Sequence, residues 1–180
     1  MKTNSATNAQ IAASDAKLST WLTANAGSGK TKVLIDRVAR LLLDGVQPEQ
    51  ILCLTYTKAA AAEMKNRLFH RLGKWAMLAD QELNFSLLEM GVHTQLGTEE
   101  LKKARTLFAR AIEAPGGLKI QTIHAFCASL LRKFPLEAGI SPQFGELDER
   151  GQRELYLKVL ELITKDKLTQ ESFEHFLKIA

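Results

Sequence analysis

The sequence predicts an α/β fold in which a parallel sheet is flanked by helices and carries a helical insertion. Three observations point there. Short apolar runs of strand length alternate with longer segments of helical period. The run Ile51-Leu52-Cys53-Leu54 shows no polar alternation, which fits a parallel strand covered on both faces. The segments also follow in strand–helix–strand–helix order, the order that crossover helices impose on parallel strands.

Each element has its own signal. Residues 1–17 are polar and Ala-rich, with a short helix around Gln10. Residues 18–24 read as a short buried strand running into a Gly-rich turn. Residues 31–44 are helical, with Val33, Leu34, Val38, Leu41 and Leu42 on one face and Gly45 just past the end. A loop with Pro48 leads to the strand at 51–55. Residues 57–78 return to helix, with Met64, Leu68 and Leu72 repeating every four residues. The insertion at about 79–117 holds a helix at 99–113, striped by Leu101, Ala104, Phe108 and Ile112, and ends at Pro115-Gly116-Gly117. A third strand is expected at 118–122, parallel to those at 18–24 and 51–55 in one sheet. The helix at 123–134, packed against that sheet, places Ile123, Phe126, Cys127, Leu130, Leu131 and Phe134 at helical spacing, with Phe126, Leu130 and Phe134 as core residues. Residues 138–147 are loop-rich and 148–180 read as two helices. This gives one α/β domain over 1–147 and the start of a helical subdomain over 148–180.

Composition narrows the class. With 180 residues, 46% hydrophobic and 24% charged, the chain has the makeup of a soluble globular domain, which excludes disordered, collagenous and disulfide-scaffold proteins. No apolar run approaches the roughly 18 residues of a membrane span. The first nine residues hold no apolar stretch of the secretory kind. Cys53 and Cys127 lie far apart and form no metal or disulfide pattern, so the expected compartment is the reducing cytoplasm. The net charge of +4 is uneven: residues 1–140 hold 18 basic and 12 acidic side chains, residues 141–180 hold 6 and 8. The bias permits nucleic-acid contact and equally fits a basic solvated surface.

The most specific feature is Ala24-Asn25-Ala26-Gly27-Ser28-Gly29-Lys30-Thr31. It matches the phosphate loop G-x-x-x-x-G-K-[ST] at Gly29, Lys30 and Thr31, with Ala24 in place of the first Gly. A triphosphate needs several N–H donors converging on its oxygens, and small residues let the backbone wrap that closely. The helix that follows turns its positive end toward the phosphates. Lys30 reaches the β- and γ-phosphates, and the Thr31 hydroxyl ligates Mg²⁺. The competing reading is a Gly-rich turn with a solvated Lys.

Further motifs give the class. Leu54-Thr55-Tyr56-Thr57-Lys58-Ala59-Ala60-Ala61-Ala62-Glu63-Met64, followed by Arg67, resembles motif Ia of superfamily 1 helicases of the UvrD/RecB type, with Tyr56 where Phe is usual. Ile120-Gln121-Thr122-Ile123-His124-Ala125-Phe126-Cys127 resembles the T-I-H-S-F-C segment of the same helicases, with Ala125 for Ser. Gln10, 20 residues before Lys30, resembles the Q-motif glutamine, whose amide pairs with adenine N6 and N7 and favours ATP over GTP. With the Ala-first phosphate loop, these motifs carry a resemblance that covers almost all of residues 6–150. The insertion at 79–117 and the run from Pro115 to Phe126 are closest to the helicase subunits of AddAB-type helicase–nucleases.

The resemblance implies a RecA-like P-loop NTPase domain, ATP and Mg²⁺ as ligands, and DNA helicase activity in double-strand-break repair and recombination. It implies single- and double-stranded DNA as substrate and, as heterodimer partner, an AddB-like nuclease subunit. The ATP contacts fall to Gln10 and to Ala24, Asn25, Ala26, Gly27, Ser28, Gly29, Lys30 and Thr31, with Lys30 and Thr31 catalytic and Thr31 the metal ligand. DNA contacts fall to Thr55, Tyr56, Thr57, Thr122 and His124. Alternatives stay open at several positions. Thr55 and Thr57 also suit the end of a strand and a helix cap. Tyr56 suits base stacking or the core. His124 suits a structural place at a helix start, while His70, His93 and His175 read as surface residues.

Such an enzyme also needs an apolar strand ending in Asp-Glu, for Mg²⁺ and the attacking water. The acidic pairs Glu99-Glu100 and Asp148-Glu149 follow no such strand, and no arginine finger is legible. The sequence is therefore expected to be an incomplete domain: most of a first RecA-like domain and the start of its 1B insertion. The alternative function is a nucleotide-binding module without turnover. A P-loop ATPase of another type, such as a kinase or a transporter component, has no reason to carry the two later motifs.

Overall fold

The computed structural model describes residues 5–165, except 24, 26, 28 and 93–95. The elements run α1 (Ser5–Ala13), α2 (Lys30–Leu43), a 3₁₀ turn (Pro48–Gln50), β1 (Leu52–Thr55), α3 (Lys58–Met77), α4 (Asp80–Glu89), α5 (Thr98–Glu113), β2 (Lys119–Thr122), α6 (Ile123–Lys133) and α7 (Glu149–Lys165). The fold is α/β. β1 and β2 pair in parallel, with Leu52 opposite Lys119 and Thr55 opposite Thr122, and α3, α4 and α5 make the crossover. The chain divides into two compact units, Met1–Leu130 and Leu131–Ala180.

In the first unit α3 is the central element. It lies against both strands and packs on α2 and α5. Its buried side chains Ala61, Met64, Leu68, Leu72 and Trp75 follow the helical period, and Leu68 and Leu72 are wholly enclosed. Full burial of a Leu contributes about 1.5–3 kcal/mol. From α2 come Ile35, Val38, Ala39 and Leu42, and from α5 Leu101, Ala104, Leu107 and Ala111. The insertion is thus part of the core. Polar ties fix it there: Trp75 Nε1 donates to Ser86 Oγ at 3.1 Å, Arg105 Nη2 to the Leu78 carbonyl at 2.8 Å, and Leu96 N to Asn84 Oδ1 at 3.0 Å. Between α2 and α3 the Arg71 guanidinium pairs with the buried Asp36 carboxylate.

Several expectations are corrected. Residues 18–23 are not a strand, and Leu18 and Leu22 are exposed, Trp21 almost fully. A strand exists through the ladder that satisfies its N–H and C=O groups, and among the described residues none pairs with this segment. The described sheet therefore has two strands. It is also not covered on both faces, since Leu52 and Leu54 point outward while Cys53 turns in toward the core. On α2, Leu34 faces out and Ile35 takes its place inside. On α5, Leu107 and Ala111 carry the stripe where Ile112 is exposed. On α6, Ile123, Leu130, Leu131 and Phe134 are exposed, and Ala128 is the buried residue. The second helix expected within 148–180 lies outside the described residues; the first is α7.

The second unit, residues 131–165 as described, holds the end of α6, a loop and α7. Arg132 reaches Glu146 at 2.8 Å and lies over the Phe144 ring. Asp148 Oδ1 accepts from Gly151 N at 2.7 Å and so caps α7.

The two cysteines differ in a checkable way. Burial pushes the Cys53 thiol up from its ordinary value, whereas Cys127 is exposed. The thiolate is the reactive form, so a maleimide at pH 7 is expected to modify Cys127 first, with Cys53 following only on denaturation. Equal rates in the native protein, read by mass spectrometry, would show that β1 is more open than this packing.

Candidate functional site

The loop before α2 is built on two glycines in the left-handed region, Gly27 at φ 79° and Gly29 at φ 91°. Only glycine adopts this backbone at low cost, and Gly29 leads directly into α2. Gly29 caps that helix with no side-chain bond, and its first turn contains no acidic residue. The first-turn N–H groups of a helix have no partner within it, and with the helix dipole they make a site for anions. Lys30 Nζ donates to the Asn25 carbonyl at 2.7 Å, which folds the ammonium back over the same loop. Thr31 is exposed on the first turn. Ala24, Ala26 and Ser28 lie outside the described residues.

Gln10 is brought to this loop by α1. A Cβ placed on Gly29 would meet Gln10 Nε2 at 2.9 Å, so the amide lies against the first turn of α2. Asp15, just past α1, accepts from Lys17 N at 3.0 Å, and this bond, with Arg40, Lys17 and Arg37 nearby, holds its carboxyl below the usual range.

The second group of sequence-selected residues gathers at the carboxyl ends of the two strands. Thr55 and Thr122 are register partners; Tyr56 and Thr57 follow the first, His124 the second. In open α/β sheets this end of the strands is where ligands bind. Thr57 Oγ1 accepts from Ala60 N at 3.1 Å and caps α3, while Thr55 Oγ1 donates to the Thr57 carbonyl at 3.0 Å. Thr122 is buried and its Oγ1 accepts from Ala125 N at 3.1 Å, capping α6. Tyr56 is 83% exposed and takes no part in the core. His124 and His70 are exposed; His93 and His175 lie outside the described residues.

The acidic pairs sit at helix starts. Glu99 and Glu100 open α5, where Glu100 accepts from Gly97 N at 2.6 Å and Glu99 pairs with Lys102 at 2.7 Å. Asp148 caps α7. Among the described residues no group of three His, Cys, Asp or Glu is placed to hold a metal ion.

Sequence reasoning passed over Arg37, Arg40 and Ser14. Arg40 is bonded to Ser14 Oγ at 3.1 Å and Arg37 to the Leu18 carbonyl at 2.6 Å. Their spacing of three was the only available signal, and it does not name a partner.

Comparison with known proteins gives the family. Residues 4–179 match the UvrD/REP helicase N-terminal domain. The chain is similar to an ATP-dependent helicase/nuclease subunit from Lactobacillus acidophilus, 33% identical over 152 residues, 84% of this chain and 11% of that protein. It is similar to the protein of the same name from Desulforamulus reducens, 32% identical over 159 residues, 87% of this chain and 11% of that protein. The one from Lactobacillus helveticus is 32% identical over 162 residues, 86% of this chain and 12% of that protein. The chain therefore spans about a tenth of the length of the curated relatives it matches. With a family match over nearly its whole length, this chain belongs to the UvrD/REP helicase N-terminal domain family.

Proposed function

We propose that this chain is the ATP-binding part of an ATP-dependent DNA helicase that acts in double-strand-break repair and recombination. The observation that carries the reading is the glycine-bent loop feeding α2, with Lys30 at its first position and Gln10 against Gly29. The donor set fits a triphosphate: small residues, a helix N-terminus without acidic side chains, and a lysine over the loop. Mg²⁺ enters as the companion of the nucleotide, with the Thr31 hydroxyl as this chain's ligand; when bound it neutralises charge on the phosphates. Lys30 binds the β- and γ-oxygens, and Gln10 reads adenine.

The ridge at the strand ends is the DNA contact. Thr55, Thr57 and Thr122 shape it as caps, Tyr56 offers an exposed ring to a base, and His124 reaches the backbone. Tyr56→Ala is expected to weaken single-strand binding by about 1–3 kcal/mol in fluorescence anisotropy. A loss of thermal stability with unchanged DNA affinity would contradict the stacking role.

The domain assignment goes with this reading: residues 1–147 as the first RecA-like domain, 148–180 as the start of a 1B-type subdomain. The relatives' name, which joins helicase to nuclease and marks one component of a complex, supports two further assignments. The partner of the longer polypeptide is an AddB-like nuclease subunit, and its place is the cytoplasm. No described helix is long and apolar enough to cross a membrane. A second reading applies to these 180 residues alone, as a module that binds Mg·ATP without turnover. The acidic pairs favour it, because Glu100 and Asp148 are engaged as caps at helix starts.

A further inference from the structure

Gln10 stands near the end of α1, a helix of nine residues. Isolated helices this short are not stable in water, so the position of Gln10 depends on what holds α1 in place. Ile11 lies against Gly91, and the polar hold comes from α2. Arg40 Nη1 donates to the Ile11 carbonyl and to Ser14 Oγ, both at 3.1 Å, and its Nη2 lies 3.7 Å from Asp15 Oδ1. One turn earlier, Arg37 donates through Nη1 to the Asp15 carbonyl and through Nη2 to the Leu18 carbonyl at 2.6 Å. Ser14 is fully buried, and its hydroxyl donates to the Ile11 carbonyl at 2.8 Å. The Arg40 side chain is only 12% exposed.

Two guanidinium groups thus grip the carboxyl end of α1 and the turn after it. Carbonyls there have no helical partner and carry the negative end of the helix dipole, so cations suit them. Planar guanidinium groups bond several acceptors in fixed directions, which a lysine does not. Ile11 follows Gln10 directly, so the bond that fixes the Ile11 carbonyl also fixes the glutamine.

We propose that Arg37 and Arg40 are positioning residues that hold Gln10 against the phosphate loop and so set the preference for ATP over GTP. This rests on the reading of Gln10 as the adenine contact. The arginines touch neither base nor phosphate; they act through α1.

The test measures dissociation constants for Mg·ATP, Mg·GTP and inorganic tripolyphosphate on the 180-residue chain by calorimetry. The variants are Gln10→Ala, Arg40→Ala, Arg37→Ala and the double variant Gln10→Ala/Arg40→Ala. Arg40→Ala is expected to cut the ATP-to-GTP affinity ratio about tenfold, the equivalent of roughly 1.4 kcal/mol. Arg37→Ala should move the ratio in the same direction. Tripolyphosphate binding should stay within about twofold, and Arg40→Ala should change nothing further once Gln10 is Ala. Equal losses for all three ligands would overturn the proposal, since a general collapse of the site does not discriminate between bases. A ratio that falls in Gln10→Ala but not in either arginine variant would overturn the clasp and leave the adenine contact standing. A ratio unmoved by Gln10→Ala would overturn both. Should Arg40→Ala fail to fold by circular dichroism, Ser14→Ala removes one acceptor of the clasp and should lower the ratio roughly threefold. No change in folded Ser14→Ala would then count against the clasp.

Discussion

If the proposed function holds, Lys30→Ala in a full-length polypeptide that carries this chain is expected to lower ATP turnover by at least about 10²–10³, the usual loss for one electrostatic contact to the reacting group, and to stop unwinding. Negative charge shifts among the β- and γ-phosphate oxygens during transfer, and under the proposed function Lys30 meets it. The fold should survive, because the Lys30 ammonium bonds the Asn25 carbonyl of its own exposed loop. Steady-state phosphate release, with circular dichroism as a control, reads both effects. Turnover within a factor of a few of the unmutated enzyme would show that the phosphates bind elsewhere.

Arg71→Ala is expected to destabilise the fold by about 3–5 kcal/mol. Asp36 is buried on the inner face of α2 and its carboxylate pairs with Arg71 of α3. Removing the cation leaves a carboxylate without its partner between the two main helices of the core, and the desolvation of that charge is then uncompensated. An apolar replacement of both residues, Asp36→Leu with Arg71→Met, should recover much of the loss, because the cost lies in the unpaired charge. Chemical denaturation of the single and double variants checks this. A single variant within about 0.5 kcal/mol of the parent, the ordinary range for surface changes, would mean water already reaches the pair.

The sequence was most legible where local chemistry is sufficient. The period of Met64, Leu68 and Leu72 marked the buried face of α3, because a helix satisfies its own backbone and needs only one apolar stripe. The bends before α2 were legible because Gly27 and Gly29 serve a backbone conformation that few other residues adopt. The two later strands were legible as apolar runs of strand length, and each found its ladder neighbour in the other. What failed depends on distant partners. Leu18, Trp21 and Leu22 have the composition of a strand, but composition does not supply a ladder neighbour. Leu52, Leu54 and the α6 stripe of Ile123, Leu130 and Phe134 are apolar enough for a core, yet burial requires a second surface. Leu34 and Ile35 are adjacent and equally apolar, and only the position of α3 decides which turns inward. The clasp of Arg37 and Arg40 was invisible because its acceptors are mostly backbone carbonyls, which every residue carries.

Under the proposed function, these 180 residues hold the phosphate cradle of a helicase motor and bind Mg·ATP without turning it over. Phosphate release by the purified chain with Mg·ATP, in the presence and absence of single-stranded DNA, tests it most directly, with calorimetric binding of Mg·ATP alongside. Weak saturable binding that Lys30→Ala abolishes is expected, with no turnover that DNA stimulates. An arginine finger alone is worth roughly 10³–10⁵ in rate. DNA-stimulated release that vanishes in Lys30→Ala would contradict the account and would assign Asp148 or Glu149 to the metal and water.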